Sequence, residues 1–191
     1  MSSGVQDTYD RAVFGTWLYI LSDFLFFGTL FAVYAFLQKG NDTNKLFSLK
    51  YAFGETLILL SSSTAAGLAG AYLHRKDRRN TLIYFFLAWI LGAGFAALEF
   101  LNLFSIASRN YTWDQSAFLS AYFTLIGTHG LHIVFCLFWM IVLLLPLFFT
   151  QIRDVDVRRL TCFRMFWQFL NIVWIFIFTI VYLMGVDGYY G

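Results

Sequence analysis

Five long apolar runs limit what this chain can fold into. They cover residues 14–37, 51–72, 82–104, 117–149 and 162–184, and polar breaks at 38–50, 73–81, 105–116 and 150–161 separate them. An α-helix rises about 1.5 Å per residue, so about 20 apolar residues cross the ~30 Å hydrocarbon core of a bilayer. Each run is long enough. The fold class that follows is all-α, an integral membrane bundle of five transmembrane helices. The fourth run exceeds what a span needs, so it tilts or extends beyond the membrane, with Pro146, the only proline, near its end.

Composition agrees. Only 13% of the 191 residues are charged and 60% are hydrophobic, whereas soluble domains carry roughly 25% charged residues. A net charge of +2 is too small to imply a nucleic-acid partner. The only cysteines, Cys136 and Cys162, lie in apolar runs and suggest neither a disulfide framework nor a thiolate metal site. Residues 1–13 hold Asp7 and Asp10 against one Arg11, which is not the basic start of a signal peptide, so the first run reads as a permanent helix. No linker of biased composition and no fixed-period repeat divides the chain, which reads as a single membrane domain over 1–191.

Cationic loops stay on the cytoplasmic side. Arg11, Arg75, Lys76, Arg78, Arg79, Arg153, Arg158, Arg159 and Arg164 fall on one side, and Lys39, Lys45, Lys50 and Arg109 on the other, nine against four. The N-terminus is therefore expected in the cytoplasm and the C-terminus in the periplasm. Arg75, Lys76, Arg78 and Arg79 carry this signal and are also candidates for contacts with anionic lipid headgroups. Trp17, Tyr34, Tyr51, Tyr72, Tyr84, Trp113, Trp167 and Tyr182 lie near span ends, where aromatic rings anchor helices at the interface.

Small residues recur at spacings that let helix backbones touch: Ser63, Gly67 and Ala71, with Ala66 and Gly70, on the second run, and Gly92 and Ala96, with Ala93 and Ala97, on the third. Five acid or histidine side chains, Asp23, Glu55, Glu99, His129 and His132, interrupt the runs. A charge there costs a few kcal/mol or more, so each should face the bundle interior and have a partner. Asp23 lies roughly 13 Å along the first run. It fits either a protonatable group in a proton or ion path or an acid that locks two helices together. Glu55 and Glu99 lie in the outer half, where inter-helix contacts are expected. His129 and His132, spaced i,i+3 in Gly127-Thr128-His129-Gly130-Leu131-His132, share a helix face. No cysteine or carboxylate nearby in sequence completes a metal shell, so hydrogen bonds to neighbouring helices are expected. Neither a nucleophile nor a phosphate loop is visible, and no catalytic, metal or cofactor-binding residue is expected in this chain.

Several segments resemble subunit III of the haem-copper oxidase superfamily, in particular the five-helix form in bacterial cytochrome bo-type ubiquinol oxidases. They are Phe14 to Asp23 (FGTWLYILSD), Glu55 to Ser63 (ETLILLSSS), Gly92-Ala93-Gly94-Phe95 with Glu99, Gly127 to His132 (GTHGLH), and Phe166 to Trp174 (FWQFLNIVW) with Tyr182-Leu183-Met184-Gly185. They fall in order on all five runs, over residues 14–185.

The resemblance implies an accessory subunit without haem or copper. It would pack against subunit I, which holds those cofactors, beside subunits II and IV in a bacterial inner membrane. The complex would oxidise ubiquinol, reduce oxygen to water and translocate protons. This chain would stabilise subunit I against turnover-linked inactivation and support proton uptake. A bound phospholipid is a further ligand in some relatives. Asp23 matches a carbodiimide-reactive carboxylate of the family, usually glutamate in cytochrome c oxidases. Gln168 and Asn171 stand where the family commonly has histidine and aspartate, which keeps hydrogen-bonding capacity without the charge. Two other functions fit the same residues: the five-helix protein associated with nitric oxide reductase, and a small proton-coupled transporter using Asp23 and the histidines.

Overall fold

The structure, a computed structural model, describes residues 3–38, 49–108 and 116–183. Lys39, Lys45, Arg109, Trp113, Met184 and Gly185 lie outside the described residues. The helices are α1 (Ser3–Gln38), α2 (Leu49–His74), α3 (Arg78–Ser108), α4 (Ala117–Phe149) and α5 (Asp154–Ile177), the last continuing into a π-helical turn at Phe178–Leu183. All five are long and apolar enough to cross a membrane, and no strand occurs among the described residues. The architecture is an all-α membrane bundle.

The helices run past the apolar spans because polar groups at their ends satisfy the terminal backbone. The Asp156 carboxylate accepts from the Arg153 amide at 3.1 Å and from Arg153 Nε at 3.2 Å. This acid in the first turn starts α5 at Asp154, well before its apolar run. At the end of α2 the Lys76 amide donates to the Leu73 carbonyl and the Asp77 amide to the Tyr72 carbonyl, with Lys76 at φ 57°. That is the Schellman arrangement, with lysine at the left-handed position usually given to glycine. Two short turns, α2–α3 and α4–α5, thus lie side by side at one end of the bundle. Lys76 Nζ meets Asp154 there at 3.0 Å, and the Arg78 guanidinium donates to the Leu147 and Phe148 carbonyls, closing the C-terminus of α4. We refer to this as the basic end.

Helix α5 is the centre of the bundle, touching α1, α2 and α4, while α1 rests mainly on α4 and α5. Over their most apolar windows, α5 is 56% buried and α1 only 17%. In lipid no hydrophobic drive separates these faces, so close packing and hydrogen bonds hold the helices together. The small residues of α2 divide between two neighbours. Ser62 donates to the Ala88 carbonyl of α3 at 2.8 Å, with Ala66 and Ala69 buried on the same face. Ser63, Gly67 and Gly70 instead face Gln168 and Arg164 of α5. Gly92 of α3 also faces α5: a Cβ there would stand 2.7 Å from Cη2 of the Trp167 indole. It makes room for a ring rather than a backbone.

The aromatic residues expected as interfacial anchors split as well. Trp17 and Tyr51 are exposed, but Tyr34, Trp167 and Tyr182 are buried within the bundle. Their rings pack helices together: Trp167 stacks on Phe163 and Tyr34 meets Phe118.

Candidate functional site

Each of the first four helices carries acid or histidine into the bundle, and the packing sorts these groups into two acid–histidine pairs on α4. His132 Nε2 stands 3.8 Å from Asp23 Oδ2 of α1, and His129 Nδ1 stands 3.6 Å from Glu99 Oε1 of α3. The i,i+3 spacing turns both rings to one face of α4, but toward different neighbours. The expected inter-helix contacts therefore involve carboxyl groups distant in sequence.

The pairs differ in access. Asp23 and His132 side chains are 14% and 19% exposed. Tyr19, one turn from Asp23 toward the basic end, places its hydroxyl near that acid. Tyr19 also lines a cavity of about 500 Å³ between α1, α4 and α5, together with Thr16, Trp139, Cys162 and Phe166. The Glu99 and His129 side chains, at 4% and 0%, are closed off. Phe27, 1% exposed, stands between the pairs, its ring 5.4 Å from His132 and 6.5 Å from His129 by centroid.

Backbone carbonyls fix both rings. His132 Nδ1 contacts the Thr128 carbonyl at 2.8 Å, and His129 Nε2 the Leu170 carbonyl of α5 at 3.3 Å. A carbonyl only accepts, so these are the hydrogen-bearing nitrogens and the other nitrogen of each ring faces an acid. Trp174 of α5 stacks on His129 at 5.4 Å, and its Nε1 donates to Thr56 Oγ1 at 3.1 Å, which in turn donates to the Ala52 carbonyl. Glu55, next to Thr56 on α2, is buried; among the described residues its Oε2 has no hydrogen-bond partner and it pairs with neither histidine.

Gln168 and Asn171 do not form an amide pair. Gln168 accepts from Ser63 Oγ at 2.8 Å and donates to the Ser63 carbonyl at 3.4 Å, tying α5 to α2. Asn171 donates to its own helix at the Trp167 carbonyl, 2.8 Å, and its buried Oδ1 has no partner among the described residues. Of the four basic residues, Lys76 and Arg78 are engaged as described, while Arg75 and Arg79 are exposed. Among the described residues no group of three or more His, Cys, Asp or Glu side chains is placed to hold a metal ion. Tyr19, Thr56 and Trp174 complete the surroundings of these groups. Nothing marked them in the sequence except their position one turn or less from a polar residue and within the FGTWLYILSD, ETLILLSSS and FWQFLNIVW segments.

A second cavity of about 500 Å³, apolar throughout, lies between α1 and α5, with Trp17, Phe24, Phe31, Ile172 and Phe176 in its wall. The arrangement places an acid and a histidine opposite each other at two levels of α4, and it joins helices by polar contacts elsewhere.

Residues 5–186 match the family model for cytochrome c oxidase subunit III. Cytochrome bo(3) ubiquinol oxidase subunit 3 of Buchnera aphidicola subsp. Schizaphis graminum is 39% identical over 181 residues, covering 93% of this chain and 96% of that protein. The protein of the same description from Pseudomonas aeruginosa is 38% identical over 184 residues, covering 94% and 88%. Cytochrome c oxidase subunit 3 of Bacillus sp. strain PS3 is 33% identical over 178 residues, covering 91% and 86%. Subunits III of this kind are generally not those that bind the metals, and they belong to multi-subunit oxidases. A match across nearly the whole chain, on a bundle of five membrane-crossing helices, places the chain in the cytochrome c oxidase subunit III family.

Proposed function

We propose that this chain is the accessory subunit III of a terminal haem-copper quinol oxidase in a bacterial inner membrane. The observation that carries the reading is the near full-length similarity to proteins described as cytochrome bo(3) ubiquinol oxidase subunit 3. Subunit I is the partner that holds the haems and copper, with subunits II and IV alongside. The N-terminus and the basic end face the cytoplasm, as nine of thirteen Lys and Arg residues favour. Tyr19, one turn from Asp23, then lines a cavity near the cytoplasmic face, where a proton arrives first.

In this role the chain's own residues carry no redox step. Asp23 and His132 take up and return a proton, with the Tyr19 hydroxyl near the acid. Ser63–Gln168 and Thr56–Trp174 hold α2 on α5 and keep the α4 face in register. Arg75 and Arg79 are the cations available to phospholipid headgroups, and the apolar cavity between α1 and α5 suits an acyl chain. The names of the relatives favour this assignment over a transporter or a nitric oxide reductase partner.

Affinity purification of the tagged chain from native membranes in mild detergent tests it. Expected is one complex with haem absorbance and quinol-dependent oxygen uptake. Recovery of the chain without haem, or with nitric oxide reductase, would refute it.

A further inference from the structure

The His129 ring is held by Trp174 stacked on one face and by Phe95 and Phe27 edge-on, with Nε2–H directed at the Leu170 carbonyl. A neutral ring in this setting presents a bare lone pair at Nδ1. That lone pair faces Glu99 Oε1 at 3.6 Å, and an ionised carboxylate has only lone pairs to offer back. Neither oxygen of Glu99 nor Nδ1 of His129 has any hydrogen-bond partner among the described residues. Two buried acceptors facing each other, one of them charged, are the costly arrangement in hydrocarbon. One proton between them removes both problems. It gives either a carboxylic acid donating to imidazole or an imidazolium beside a carboxylate, and each state is neutral overall. A small rotation of the Glu99 side chain brings the pair to hydrogen-bond distance.

We propose that Glu99 and His129 together bind one proton on the Nδ1–Oε1 axis, in a site separate from Asp23 and His132. The neighbours favour occupancy. From α2 comes Glu55, a second buried carboxyl group, so an ionised Glu99 would have an acid and not a cation as its neighbour. Tyr122 of α4 and Tyr182 of the π-helical turn are uncharged phenols on the same side. From α5 come the Leu170 carbonyl and the Trp174 ring. From α1, Asp23 is turned to His132 on the far side of Phe27. No lysine or arginine forms an ion pair with Glu99 or His129 among the described residues, so the proton is the cation that neutralises the acid. Asp23 and His132 are partly exposed, and Tyr19 and Phe166 separate them from the cavity between α1, α4 and α5; Glu99 and His129 are sealed behind Phe27. Helix α4 therefore carries an exchanging proton site and an occluded one a turn apart.

Nuclear magnetic resonance of the intact complex, with this chain carrying nitrogen-15 histidine, tests the site directly. The expected result is a strongly deshielded proton correlated with His129 Nδ1. It should persist across the pH range in which a free imidazole titrates. Glu99→Leu should abolish that proton and move Nδ1 to the shift of a bare lone pair, with Nε2 still protonated. Should the leucine variant fail to assemble, Glu99→Gln decides. Its amide gives Nδ1 a hydrogen bond but no transferable proton, so the deshielded signal is lost and an ordinary amide signal replaces it. A bare Nδ1 in the unmodified protein overturns the proposal, as does a deshielded proton that survives either substitution.

Discussion

Replacing Gly92 by alanine adds a single methyl group at the point where α3 meets α5. That Cβ would stand 2.7 Å from Trp167 Cη2, 2.8 Å from Cζ2 and 3.2 Å from Leu137 Cδ2, where ordinary contact begins at 3.4 Å. The indole must therefore retreat by more than half an ångström. It has little room to do so, because Trp167 is fully buried and stacked on Phe163. Overpacking of this kind costs about 1–3 kcal/mol. Gly94 lies on the same helix with nothing within 4 Å of the added Cβ. Alanine there relieves the conformational cost of glycine and gains up to about 1 kcal/mol. Both variants and the unmodified chain are unfolded by sodium dodecyl sulfate titration in mixed micelles, followed by tryptophan fluorescence. Gly92→Ala should unfold at lower detergent fraction than the parent and Gly94→Ala at equal or higher fraction. If Gly92→Ala is as stable as Gly94→Ala, the packing described for Trp167 is wrong.

Other outcomes are equally specific. Lys76→Gly should stabilise the α2–α3 turn by about 1 kcal/mol, because a non-glycine residue in the left-handed region costs about 1–2 kcal/mol and the exposed pair with Asp154 contributes little; the same unfolding titration reads it. Trp174→Phe removes the donor to Thr56 and should cost about 0.6–1 kcal/mol; no change by that titration would mean the bond contributes nothing. A thiol reagent applied to the folded complex should modify Cys162, which lines the cavity, and spare fully buried Cys136 until the chain is unfolded; mass spectrometry separates the two. A hydrophobic carbodiimide should modify Asp23 and leave Glu99 intact, whereas Asp23→Asn should assemble normally with a modest change in oxygen uptake. Labelling of Glu99 at the rate of Asp23 would contradict the seal at Phe27.

The five helices are legible because the bilayer imposes one length on every span, and runs of about 20 apolar residues read directly as helices. Their ends are less so. Polar stretches such as 150–161 look like loops, yet Asp156 caps a helix that begins inside that stretch. The shared face of His129 and His132 follows from their spacing. Which acid meets which ring does not, since that depends on how α1 and α3 rotate against α4, and no local pattern encodes rotation. The small-residue pattern has the same blind spot. Gly92 and Gly67 mark close approach, but only the packed bundle shows that a Trp167 ring and a Gln168 amide approach them. Gln168 and Asn171, three residues apart on one helix, look like a pair and bind in different directions.

The claim that this chain supports an oxidase without performing its chemistry is tested most directly by comparing the complex purified with and without it. Oxygen uptake with quinol is followed from the first turnovers to exhaustion, at equal haem content. The expected result is a similar initial rate in both preparations and a faster loss of activity during turnover when the chain is missing. Abolished oxygen uptake from the first turnover at normal haem content would contradict the accessory role, and identical decay in both would contradict the protective one.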